Sequence, residues 1–182
     1  MTTLRASVYL TAIGFVILSA AACASYFWAN ISAVSAFAQD AARNTPACRE
    51  KAVRSALESS LQRSEAGTRR AAAAIVRAFP GTIFGHYGSL SEFRLIQIQR
   101  REWLNSMMPL DELASAYCSV GGPGADYNFP RVAARLGVND ITLTQPAELQ
   151  VLADVFVFDV KSRIPQGGLS RAYQMRLAAA KR

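Results

Sequence analysis

Residues 6–29 read ASVYLTAIGFVILSAAACASYFWA, 24 positions without a formal charge. Arg5 is the only charged side chain before Asp40. As a helix this run extends about 36 Å at 1.5 Å per residue, against a hydrocarbon core about 30 Å thick. It is long enough to cross a bilayer with some tilt. The apolar region of a secretory signal is shorter, roughly 7–15 residues, so length favours a retained anchor. Tyr26 and Trp28 close the run, and amphipathic aromatic rings settle at the membrane–water interface.

A cleaved export signal is the competing reading. Ala36-Phe37-Ala38 has the small-x-small form that signal peptidase accepts, and Ala22-Cys23-Ala24 has it at a more usual distance from the start. Ala20-Ala21-Ala22-Cys23 approaches a lipoprotein motif but lacks its branched aliphatic residue. Sidedness is in conflict. Arg43, Arg49, Lys51 and Arg54 follow the run, and this bias favours a cytoplasmic C-terminal side. The signal-like small residues argue for export, and the cysteines add to that reading. The expected address is a single-pass membrane protein whose C-terminal domain lies on the non-cytoplasmic, periplasmic or extracellular side.

Cys48 and Cys118 leave an even pair after the apolar run, separated by 70 positions. In an oxidising compartment they are expected to pair, closing a loop worth on the order of 4 kcal/mol in the chain-entropy account. No Cys-x-x-Cys spacing occurs and there is one histidine, so neither a metal nor another cofactor is expected.

The chain of 182 residues carries a formal charge of +7. Removing residues 1–38 removes one formal side-chain charge, that of Arg5, and leaves 144 residues, enough for one domain. Arg49, Arg54, Arg69, Arg70 and Arg77 offer an anionic surface, such as acidic lipid, a set of contacts. Their charge is interleaved with acids and no strand carries an aromatic platform for bases, so nucleic acid is not an expected partner.

The remaining pattern is helical. Gln39 to Asn44 reads as a linker between the segment 1–38 and a domain over 45–182. Thr45-Pro46 opens a helix expected to run to Phe79, where Pro80-Gly81 stops it. Its stripe is Val53, Leu57, Leu61, Ser64, Thr68, Ala72, Ile75 and Phe79, polar at its centre, with Gly67 a place for a kink. Ser89-Leu90-Ser91-Glu92 has the form of a capping box before a helix carrying Phe93, Ile96, Arg100, Trp103 or Leu104, and Met107. Pro109 starts a helix with Leu110, Leu113, Ala114 and Tyr117 inward, ended by Gly121-Gly122-Pro123-Gly124. Pro130 starts a short helix closed by Gly137. Residues 145–163 form the most apolar helix of the domain, with Leu149, Leu152, Val155, Phe156 and Val160 toward the core. Ser170 caps a last helix. The fold class is all-α: an N-terminal transmembrane or signal helix, a long amphipathic helix, and a compact cluster of four or five helices.

Chemistry is sparsely signalled. His86 sits in Gly85-His86-Tyr87-Gly88 without a visible partner or nucleophile. The glycine cluster at 121–124 lacks the Gly-Lys-Ser/Thr ending of a phosphate loop. Glu102, Asp111 and Glu112 could serve glycan hydrolysis, or simply compensate a helix dipole. Asp154 and Asp159 lie in an apolar helix and require partners, which the arginines can supply. No catalytic residue is assigned. The expected function is a membrane-tethered, non-enzymatic envelope protein that acts as an accessory or scaffold through a protein partner. The alternatives are a small exported cell-wall hydrolase and a basic lipid-surface module.

Overall fold

The computed structural model describes residues 2–79, 90–121, 127–160 and 166–180. The chain is all-α: among the described residues every regular element is a helix. Helix α1 (Thr2–Asn44) has 43 residues and is unbroken, about 65 Å at the usual rise. No glycine or proline occurs between Phe15 and Asn44 to interrupt it. Its two halves differ. Phe15 and Leu18 are 73% and 71% exposed, although strongly apolar. From Asn30 onward a face appears, and Ile31, Val34 and Ala38 are buried. α1 is long and apolar enough to cross a membrane. The linker expected over Gln39–Asn44 is helical, because nothing stops α1 before Thr45. Thr45 is extended, φ −113° and ψ 101°, as the residue before a proline prefers.

The long helix expected from Thr45 to Phe79 is three helices: α2 (Pro46–Arg49), α3 (Lys51–Gln62) and α4 (Glu65–Ala78). The polar centre of the stripe is where the chain turns. Ser64 is extended and its hydroxyl accepts from Ala66 N–H at 3.1 Å, capping α4. A Cβ on Gly67 would lie 2.7 Å from the Leu61 carbonyl oxygen, so glycine permits the tight fold-back. The kink expected at Gly67 is therefore a full break three residues earlier. The apolar ends of the stripe, Val53, Leu57, Leu61, Ala72 and Ile75, all reach the core.

Helix α5 (Leu90–Met107) packs on α4 and meets α1. Of its expected inward residues, Ile96, Arg100 and Leu104 are buried, whereas Phe93 and Met107 are exposed. The capping box proposed at Ser89 and the loop holding His86 lie outside the described residues. Helix α6 (Leu110–Val120) runs through the middle, with Leu113 to Cys118 buried consecutively. Ala114, Ser115 and Ala116 are small, so α1, α3 and α4 can approach it closely. Helix α7 (Phe129–Arg135) ends in a left-handed Gly137, φ +88°. Val138 N–H donates to Ala133 and Gly137 N–H to Ala134, a paired C-terminal cap that needs glycine.

Helix α8 (Pro146–Asp154) continues into a wider π-helical turn over Val155–Asp159. Leu149 and the run Val151 to Val157 are buried, as expected for the most apolar helix of the domain. Phe156 sits between Tyr117 and Phe129, with ring centres 4.8 Å and 5.1 Å away. Helix α9 (Gln166–Ala180) begins four residues before Ser170 and lays Leu169 and Tyr173 on α8.

Candidate functional site

Two places where polar or aromatic groups come together involve α1. The first is the junction of α1 with the domain. Trp103 of α5 meets Phe27 and Trp28 of α1 edge-on, with ring centres 6.5 Å and 6.1 Å apart. One turn deeper, Arg100 donates from Nη2 to Asn30 Oδ1 at 2.6 Å. Asn30 Nδ2 in turn donates to the Tyr26 carbonyl at 3.0 Å. The Arg100 guanidinium also lies 5.0 Å over the Phe79 ring, and Phe79 stacks edge-on with Phe37 at 5.5 Å. Arg100 is 2% exposed. Among the described residues no carboxylate pairs with it, and its Nε has no partner. An amide oxygen, a ring face and the packing around them hold this cation. Of the residues expected at a membrane interface, Trp28 is 63% exposed and Tyr26 partly so. Trp103 completes the group, and its spacing in α5 gave no sign of it, because the contact is between helices.

The second place is a cleft of about 210 Å³ where the end of α1, α2, α3 and the first turns of α6 converge. Arg43, Arg49 and Arg54 line it together with Asp111 and Glu112. Arg54 lies 3.9 Å from Asp111 and 3.7 Å from Glu58. Glu58 follows Arg54 by four positions on α3, whereas Glu50 stands just before that helix. Cys48 and Cys118, both fully buried, stand at bonding distance beside this cleft: Sγ–Sγ 1.97 Å and Cα–Cα 5.7 Å. They fasten the four-residue α2 to α6. Cys23 is a free thiol on the exposed side of α1.

The expected basic set is divided. Arg49 and Arg54 share the cleft, whereas Arg69, Arg70 and Arg77 lie on α4. The carboxylates considered for hydrolysis are divided too. Asp111 and Glu112 line the cleft, whereas Glu102 on α5 is engaged by Arg101 at 2.6 Å. His86 lies outside the described residues. No group of three His, Cys, Asp or Glu side chains among the described residues could hold a metal.

Asp154 and Asp159 both find arginines. Asp154 accepts from Arg63 Nη1 at 2.5 Å, from Ser60 Oγ at 2.7 Å and from Gln150 Nε2 at 3.2 Å. Asp159 accepts from Arg176 Nε at 2.9 Å. The Asp154 group clamps α3 to α8, and the Asp159 pair ties α9 to the π-helical turn. Two tyrosines are shifted. Burial pushes the Tyr117 phenol up to about 12, against a smaller opposing pull from the guanidiniums of Arg70 and Arg77. Burial also raises Tyr173, and its hydrogen bond to Glu148 at 2.6 Å adds to the rise. Asp140 is lowered by its Thr142 hydroxyl and backbone donors, an exposed loop turn.

No protein family model, curated protein or solved structure matches this chain.

Proposed function

We propose that this protein is a membrane-tethered, non-enzymatic scaffold or accessory protein of a cell envelope, held by a retained α1, with its helical domain on the non-cytoplasmic side. The observation that carries this reading is the double character of one continuous helix. From Ile13 to Trp28, α1 exposes large apolar side chains, which water disfavours and lipid does not. The second half supplies Val34 and Ala38 to the domain core. Cleavage after Ala38 would take Ile31 and Val34 out of that core, so a retained segment agrees better with the packing than a removed one. Tyr26 and Trp28 stand where exposed apolar surface gives way to packed helix, the level at which such rings partition.

Two further features support the address and the lack of catalysis. The Cys48–Cys118 pair suits an oxidising compartment. The polar groups at the junction and around Asp154 are spent on each other, joining helices rather than facing a substrate. The protein partner would meet the domain away from the apolar half of α1, and the charged cleft between the end of α1, α2, α3 and α6 offers it a concave surface.

Membrane fractionation with N-terminal sequencing tests the anchor. The expected result is a membrane-bound chain that retains residues before Ile13; a soluble product beginning at Gln39 would refute it. A reporter that is active only outside the cytoplasm, fused after Arg182, tests sidedness and is expected to be active. Pull-down from solubilised membranes tests the scaffold role, and a solely monomeric species would count against it.

A further inference from the structure

Among the described residues, several exposed apolar side chains of the domain lie on α5. Leu95 is 56% and Ile98 47% exposed. Three positions apart, they share one side of the helix. That side is opposite the one carrying Ile96, Arg100 and Leu104, which the domain buries. Packing among the described residues of the domain therefore does not account for them.

Their position does. Trp103 on the same helix touches Phe27 and Trp28, where the exposed apolar surface of α1 ends. Along α5, Ile98 lies about 7.5 Å and Leu95 about 12 Å from Trp103 at 1.5 Å per residue. Measured along the helix axis, Ile98 stays within two turns of Trp103. The headgroup region on each side of the hydrocarbon core is roughly 5–8 Å thick. Ile98 thus lies about one headgroup thickness along α5 from the aromatic contact with α1, and Leu95 one turn farther. The charge of this patch also suits the headgroup layer. Arg94 is exposed beside Leu95, and Glu102 is already held by Arg101. An arginine there can lay its methylenes on apolar surface and offer its guanidinium to phosphate.

We propose that α5 is a second membrane contact: it lies in the headgroup layer of the bilayer that holds α1, with Leu95 and Ile98 reaching lipid and Arg94 meeting anionic headgroups. The domain is then seated on the membrane in one orientation rather than swinging from a tether. This rests on the retained-anchor reading, and the test separates the two.

The full chain with Cys23→Ser, its Cys48–Cys118 bond intact, is reconstituted in phosphatidylcholine bilayers containing phosphatidylglycerol. A nitroxide is placed in turn at Phe15→Cys, Ile98→Cys and Met175→Cys, the last on exposed α9. Power saturation then compares accessibility to oxygen, which concentrates in lipid, with that to a water-soluble nickel chelate. The expected result is oxygen-dominated accessibility at 15 and 98 and nickel-dominated accessibility at 175. Oxygen dominance at 15 with nickel dominance at 98 overturns the seating of α5 and leaves the anchor standing. Nickel dominance at both 15 and 98 overturns both. Label–label dipolar broadening at 98 that grows with protein density assigns the patch to a second copy and overturns the lipid contact.

Discussion

Arg100 on α5 and Asn30 on α1 are both buried and share a hydrogen bond of 2.6 Å across the joint between the apolar helix and the domain. The two residues are not equivalent. Asn30 is neutral, whereas Arg100 carries a charge whose desolvation must be offset locally. Asn30→Leu removes the acceptor and strands the guanidinium, so it should cost about 3 kcal/mol. Arg100→Leu leaves only a neutral amide under-satisfied and should cost about 1–2 kcal/mol beyond any packing change. The double variant should be more stable than the sum of the two losses. Denaturant unfolding of the full chain in micelles, followed by circular dichroism, measures all three. Additive losses would mean that the pair carries no coupling.

The Cys48–Cys118 bond closes a loop of 70 residues and holds α2, a helix too short to persist alone, against α6. Replacing both cysteines by alanine should lower stability by about 4 kcal/mol in the chain-entropy account. A reductant should lower the melting temperature of the wild-type chain and leave that of the double variant unchanged. Both sulfurs are fully buried, so reduction should be slow until the domain opens. A melting temperature insensitive to reductant would refute the bond's contribution.

Much of this architecture was legible in the residues. Val53, Leu57, Leu61, Ala72 and Ile75 follow helical spacing, and all are buried. Asp154 and Asp159, acids in an apolar helix, called for cations and are paired with Arg63 and Arg176. The turn at Ser64 was harder to see, since serine serves equally as a polar position on a continuous helix and as a cap. What decides it is the return packing of α4 on α3, a tertiary effect that spacing does not encode. The same holds for α6. Its run of alanines and serine gives a weak apolar stripe, yet small side chains suit a helix surrounded on every side. The junction was half visible. Trp28 marks an interface by its place at the end of an apolar run, while Arg100 and Trp103 gained their roles only when α5 came to rest on α1.

The Asp154 clamp combines an ion pair with neutral hydrogen bonds, and substitution separates them. Arg63 keeps half of its side chain in water, so Arg63→Ala should cost only about 1 kcal/mol. Asp154→Ala removes the shared acceptor of Ser60 and Gln150 in a buried setting and should cost about 2–3 kcal/mol. Chemical unfolding of the two variants decides the order. A larger loss for Arg63→Ala would place the strength of the clamp in its charge.

Alkaline stability should depend on Tyr117. Burial raises its phenol to about 12, whereas an unfolded tyrosine titrates near about pH 10. From pH 10 upward the unfolded chain sheds this proton while the folded domain keeps it. The folded state then binds more protons than the unfolded one, so stability falls as pH rises. The contribution is fully present below pH 10 and is lost by about pH 12, on the order of 2 kcal/mol for a shift of this size. Tyr173 is raised as well, and should steepen the same decline. Tyr117→Phe has no proton to lose, so its unfolding free energy should fall less between pH 10 and 12 than that of the wild type. Adding Tyr173→Phe should flatten the profile further. Denaturant midpoints measured at pH 8, 10 and 11.5 provide the comparison. Parallel profiles for wild type and Tyr117→Phe would show that the buried phenol already ionises in the folded domain at its unfolded pKa.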